Sequence, residues 1–249
     1  MVAAMNRIRR GYEYRFGALL RRLHARRLEQ GVQWLIARGE RLSRQGAIPR
    51  ADALGRVHDE LFGRVERHAA RVGAAVGPTH SEIVTASNAP PPLFLCDAGL
   101  GGLARWLRAA GYEALWTPDI GDDDLLREAR RLGATVLTTD SMLLERRLLR
   151  DGVIPSVWLP PTLTIARQLA LVLRELGLRA CTPRCMSCGG ELRPVEKEAM
   201  RERIPPKTWR WQDEYFVCVR CDKLFWHGTH WQKIVKQLER LGGHVRDES

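Results

Sequence analysis

The sequence predicts an α/β protein: a parallel sheet with flanking helices, preceded by an α-helical hairpin and followed by a small cysteine-bearing module. Three observations predict it. Short apolar runs alternate with amphipathic stretches from residue 93 to residue 177. A proline-ending stretch at 77–92, GPTHSEIVTASNAPPP, separates that alternation from an arginine-rich block. Four of the six cysteines form two C-x-x-C pairs beyond residue 184. The divisions fall at 1–88, 89–180 and 181–249.

In the leading block, Leu19, Leu20, Leu23, Leu28, Val32, Leu35 and Ile36 recur at helical spacing. After a turn near 46–49, Leu54, Val57, Leu61, Val65 and Val72 do the same. Pro49 suits a first helical turn, where its missing N–H is not needed. The pattern predicts a long helix, a turn and a second helix packed as a hairpin. The stretch at 77–92 reads as a linker, because its closing prolines cannot continue a helix. LFLC (93–96), EALW (113–116), ATVLT (134–138) and IPSVWL (154–159) then read as strands. Residues 100–111, 122–133, 141–152 and 162–177 read as helices, the first with Leu103, Trp106, Leu107 and Ala110 on one face. This order with short connections requires parallel strands and right-handed crossovers. Such sheets bind ligands beyond the carboxyl ends of their strands. A last helix is predicted near 230–241.

Composition narrows the function. The 249 residues are 45% hydrophobic and 28% charged, which excludes collagen-like and wholly disordered chains. No apolar run approaches the roughly 18–20 residues of a membrane span. The opening MVAAMNRIRRGYEYRF lacks the apolar core of a secretory signal. The expectation is a soluble, cytoplasmic protein. Its net charge is +11, and residues 1–80 hold 16 arginines, no lysine and 7 acids. That local surplus suits RNA, a ribosome or an acidic protein partner. An arginine-rich solvated helix surface is the plainer reading of the same residues.

Carboxylates gather at the predicted strand ends. Asp97 ends the first strand, Asp140 follows the third, and Asp122, Asp123 and Asp124 open the helix after the second. Acids on one sheet edge repel one another unless a cation intervenes, and Mg²⁺ or Mn²⁺ suits an all-oxygen site. Each acid also has a structural reading: residues 122–124 complement a helix dipole, and Asp140 caps a helix from Ser141. Asp97 is harder to dismiss, because it follows a wholly apolar strand. GLGG at 99–102 lacks the residues of a phosphate-binding loop and reads as a tight strand-to-helix turn. Behind it, Arg105 can reach a phosphate or pair with an acid. For Arg108 the alternatives are RNA contact and a solvated helix face, the second favoured.

Cys185-x-x-Cys188 and Cys218-x-x-Cys221 can offer four thiolates in a tetrahedron, the ligand set of structural Zn²⁺. A redox pair is the rival, disfavoured by the presence of two pairs. Cys96 reads as core, and Cys181 has no assigned role. Trp209, Trp211, Tyr215, Phe216, Phe225, Trp226 and Trp231 interleave with Lys207, Arg210, Arg220, Lys223 and Lys233. Such residues can stack bases and hold phosphates, or can pack a module that has little other core. His227 and His230, in WHGTHW, are open to RNA contact and to turn packing alike.

Together, FLCDAGLGGLARWLRAAGY, DDDLLREARRLGATVLTTDSML and RCMSCGGEL…YFVCVRCDKLFWHGTHW resemble the Mut-seven C-terminal ribonuclease family over about 93–241. The resemblance implies a PIN-like α/β sheet, metal-dependent RNA cleavage and a fused four-cysteine zinc ribbon. It implies Asp97, Asp122 (with Asp123 next in line) and Asp140 as holders of Mg²⁺ or Mn²⁺. Thr138 would partner Asp140, Thr138 or Ser141 would orient water or a carboxylate, and Arg105 matches the family arginine. Cys185, Cys188, Cys218 and Cys221 match the zinc ligands. Many relatives carry a ubiquitin-like fold ahead of the nuclease domain, where this chain has its arginine-rich helices. The expected function is a ribonuclease of the endonucleolytic kind that grips RNA through its ribbon and basic helices. The alternative is a non-catalytic RNA- or ribosome-binding protein.

Overall fold

The computed structural model describes residues 2–75, 91–226 and 236. They form two compact units. One holds the chain up to Pro91 with Asp140–Asp151 and Pro160–Thr162; the other holds Pro92–Thr139, Gly152–Leu159 and the chain from Leu163 onward. Most of the expected linker, His227, His230 and the helix expected near 230–241 lie outside the described residues, apart from residue 236, which is helical.

The first unit contains α1 (Val2–Arg22), α2 (Leu28–Gly46) and α3 (Arg50–Ala75). Three helices stand where the periodicity predicts two. The chain breaks at residues 23–27, with His24 in a left-handed conformation at φ 53°. The apolar spacing runs on across this break, and no glycine or proline marks it, so periodicity alone does not see it. Phe16, Ile36, Leu54, Val57 and Val65 are buried between the helices. A Cβ on Gly39 would lie 2.5 Å from Leu54 Cδ2, so this glycine lets α2 and α3 approach closely.

The second unit is built on a four-stranded sheet ordered β2-β1-β3-β4, every pairing parallel. Its strands are β1 (Phe94–Cys96), β2 (Ala114–Trp116), β3 (Thr135–Thr138) and β4 (Ser156–Trp158). β1 and β3 are central and wholly buried; β1 reads as an unbroken apolar run, and β3 brackets Val136 and Leu137 with two buried threonines. The flanking helices are α4 (Gly101–Ala109), α5 (Asp122–Leu132) and α7 (Ile165–Glu175). Left-handed Gly133 ends α5. The helix expected over 141–152, which falls mostly in the first unit, is instead a turn, a 3-10 segment (Leu143–Glu145) and the one-turn α6 (Arg147–Arg150). Leu103 and Leu107 of α4 and Leu169 and Val172 of α7 join Phe94 and Leu137 in one core. Burying each such side chain contributes roughly 1.5–3 kcal/mol.

Beyond the sheet, β5 (Leu192–Val195), β6 (Tyr215–Cys218) and β7 (Leu224–Trp226) form an antiparallel ribbon, with the short α8 (Pro206–Trp209) between the first two.

Candidate active site and metal centre

Asp97 directly follows β1, and its N–H donates to Leu137 O at 3.0 Å, extending the pairing with β3 by one bond. That bond fixes the residue at the carboxyl edge of the sheet. Its side chain is held from two sides. Ala98 N–H donates to Oδ1 at 2.7 Å, and the Thr138 hydroxyl donates to Oδ2 at 2.7 Å. Thr138 is 0% exposed and closes β3. The resemblance implies Thr138 as the partner of Asp140; its hydroxyl proton goes to Asp97. With lone pairs left over, the Asp97 carboxylate fits a hard cation that keeps several waters and takes one or two carboxylates.

Asp140 follows Thr138 by two residues. Its Oδ1 accepts the Met142 N–H at 2.8 Å, a local turn bond rather than a cap on a long helix. The adjacent Ser141 is 0% exposed, and its hydroxyl has no hydrogen-bond partner among the described residues. Asp122 and Asp123 are exposed in the first turn of α5, where they complement the helix dipole, and Asp124 pairs with Arg127 at 2.6 Å. Asp140 belongs to the first unit, and Asp97, Asp122 and Asp123 belong to the second.

GLGG leads from a 3-10 turn (Ala98–Leu100) directly into α4, and close packing explains its glycine at 101. A Cβ on Gly101 would lie 2.7 Å from Trp116 Cε2, and the Trp116 indole donates to Ala98 O at 2.8 Å. Arg105 is exposed on α4 and makes no side-chain hydrogen bond or ion pair among the described residues.

Arg108 corrects the sequence reading. Neither solvated nor on an RNA-facing surface, it is 6% exposed. Its Nε donates to Ala114 O at 2.8 Å, and Nη1 donates to Met186 O at 3.0 Å and Ser187 O at 2.9 Å. One guanidinium therefore ties β2 to the first cysteine knuckle. Burial lowers its pKa, opposed by the nearby Cys96, Cys188 and Cys185. The sequence does carry a signal: Arg108 lies four residues after buried Ala104, beside Leu107. Glu113, which sequence reasoning missed, ties the second knuckle by accepting from Arg220 at 2.7 Å.

The four ribbon cysteines converge. Their sulfurs all lie within 4.8 Å of one another, with Cys185 and Cys221 at 3.6 Å and Cys188 and Cys218 at 3.4 Å. A disulfide needs about 2.05 Å. A Zn–S distance of about 2.3 Å gives a tetrahedral edge of about 3.8 Å. The group can hold a metal such as zinc, and the donor chemistry fits. Left-handed Gly189 and Asp222 follow the second cysteine of each knuckle and turn the chain. Burial pushes Cys188 up to about 12. Burial also raises Cys218, but backbone donors from Cys221 and Arg220 outweigh it and bring that thiol to about 7. Buried Cys96 is pushed up to about 12 and is a core residue.

Of the aromatic and basic ribbon residues, Lys207 and Arg210 are exposed, and Trp211 is 82% exposed. Lys197 and Arg201 lie 5.0 and 5.6 Å from the Trp209 ring centre. Trp226 is half-buried opposite Tyr215, with ring centres 6.4 Å apart, and helps pack the ribbon.

The sequence model of one protein family, described as the Mut7-C RNAse domain, matches residues 92–238. No curated protein and no solved structure matches the chain. No helix among the described residues is long and apolar enough to cross a membrane.

Proposed function

Because the chain belongs to the Mut7-C RNAse domain family, we propose that it is a metal-dependent endoribonuclease acting at the sheet edge marked by Asp97. The observation that carries this reading is the Asp97 carboxylate, gripped by the Thr138 hydroxyl and the Ala98 N–H. A carboxylate with two donors still has lone pairs for a cation. Asp97 would hold Mg²⁺ or Mn²⁺, and the family pattern adds Asp140 and Asp122, with Asp123 next in line, as further holders. Such an ion supplies an activated water and neutralises charge on a phosphodiester. Thr138 keeps the Asp97 carboxylate in one orientation, and the buried Ser141 hydroxyl would orient the Asp140 carboxylate beside it. Arg105, with no side-chain partner among the described residues, binds the phosphate. Lys207, Arg210 and the exposed Trp211 hold RNA on the ribbon, whose four thiolates bind structural Zn²⁺.

Asp97→Asn and Asp140→Asn are each expected to abolish metal-dependent cleavage of a labelled RNA while leaving circular dichroism and zinc content unchanged. A variant that cleaves at the wild-type rate removes its residue from the mechanism. The arginine surplus of residues 1–80 fits a second reading, a non-catalytic RNA- or ribosome-binding protein. That reading expects salt-sensitive RNA binding with no products under either metal.

A further inference from the structure

The outward side of α2 carries a stripe that the helical core does not use. Val32, Leu35, Ile36 and Gly39 face the core. Gln30, Trp34, Arg38, Arg41 and Gln45 follow one another at steps of three and four residues, which places them along a single face of the helix, and Arg27 stands at its N-terminal cap. No acid occupies those positions. The stripe is about 27 Å long at about 1.5 Å per residue. At its centre Trp34 is 55% exposed. Arg38 lies over that ring, 5.8 Å from its centre, and also pairs with Glu60. The side chains of Arg27 and Arg41 make no hydrogen bond or ion pair among the described residues. Three arginines of the block are neutralised within it: Arg9 pairs with Glu13, Arg22 with Glu66 and Arg50 with Glu40.

We propose that this stripe binds a single-stranded stretch of RNA, with one unpaired base stacked on Trp34 and phosphates held by Arg27 and Arg41. The proposal rests on the reading of RNA as the substrate and adds its class: RNA with an unpaired segment. Two unpaired cations on a stripe without acids complement a phosphate backbone. An exposed indole among them adds a platform that any unpaired base can use and that a closed duplex cannot. The absence of acids from the stripe and its arginines without side-chain partners among the described residues favour a polyanion over a protein surface of mixed charge.

The test is fluorescence anisotropy with a labelled single-stranded RNA about 20 nucleotides long, enough to span the stripe, and with the same strand fully paired. The protein is the full chain, zinc-loaded and carrying Asp97→Asn, without added Mg²⁺ or Mn²⁺, so that the RNA stays intact. Adding Trp34→Ala is expected to weaken single-strand binding about tenfold and to leave duplex binding within about twofold. Trp34→Phe is expected to restore most of the loss, which separates stacking from misfolding. Adding Arg27→Ala with Arg41→Ala is expected to lower the slope of log affinity against log salt by about 1.4 on the single strand. Unchanged single-strand affinity in either variant, or an equal loss on strand and duplex after Trp34→Ala, overturns the proposal. Its failure is distinct from failure of the nuclease reading. Loss of binding in these variants alongside an unmodified protein that cleaves nothing keeps the stripe and removes the nuclease; cleavage with unaltered binding does the reverse.

Discussion

The Thr138 hydroxyl and the Asp97 carboxylate are 41 residues apart, and the parallel pairing of β1 with β3 brings them to 2.7 Å. Thr138→Val is expected to keep the fold and lower kcat about 10- to 100-fold with little change in KM, since a bond to a charged acceptor contributes about 1.5–3 kcal/mol. Single-turnover kinetics on RNA would check it. Arg108 holds three carbonyls with one planar fork. Arg108→Lys is expected to cost on the order of 3 kcal/mol in urea unfolding, because lysine cannot reproduce that geometry. These residues were unequally legible. Asp97 stood out as an acid directly after a wholly apolar strand, where few structural reasons put one. Its partner did not, because only strand pairing supplies the hydroxyl. Arg108 was misread because its charge was weighed above its place on the buried stripe of α4.

Each strand of the sheet lies in a short stretch rich in apolar and β-branched residues and its main helices have their own stops, so these elements were legible. The sheet is parallel throughout, as the alternation required. The break in the leading helices and the loss of the 141–152 helix were not legible, since apolar spacing continues through both. In the ribbon the knuckles were legible from cysteine spacing, but their closeness to one glycine was not. A Cβ on Gly190 would lie 2.8 Å from Cys218 Sγ and 2.8 Å from Arg220 Cβ. Gly190→Ala is therefore expected to displace a ligand and weaken zinc binding about tenfold or more, measured by competition with a chromogenic chelator. Acid is expected to release the metal from the unmodified protein, because four thiolates must take up protons to let it go. Zinc retained undiminished at about pH 4 would contradict the four-thiolate site.

At the scale of the whole molecule, the family match begins at residue 92 and leaves the arginine-rich helices outside it. Their charge was legible in composition, whereas the division of that charge between paired and unpaired arginines needed three dimensions. Arg10 illustrates the pairing: it meets Glu145 at 2.7 Å, within the unit that also contains Asp140. On the proposed reading, chemistry belongs to the sheet edge, a structural metal to the ribbon and RNA binding to the basic surfaces. The most direct test of that central claim is cleavage of a labelled RNA by the full zinc-loaded protein, assayed with Mg²⁺, with Mn²⁺ and after chelation. Internal products with either metal, lost on chelation and restored by Mg²⁺ or Mn²⁺ but not by Zn²⁺ alone, are the expected result. Tight RNA binding with no products under either metal would contradict it.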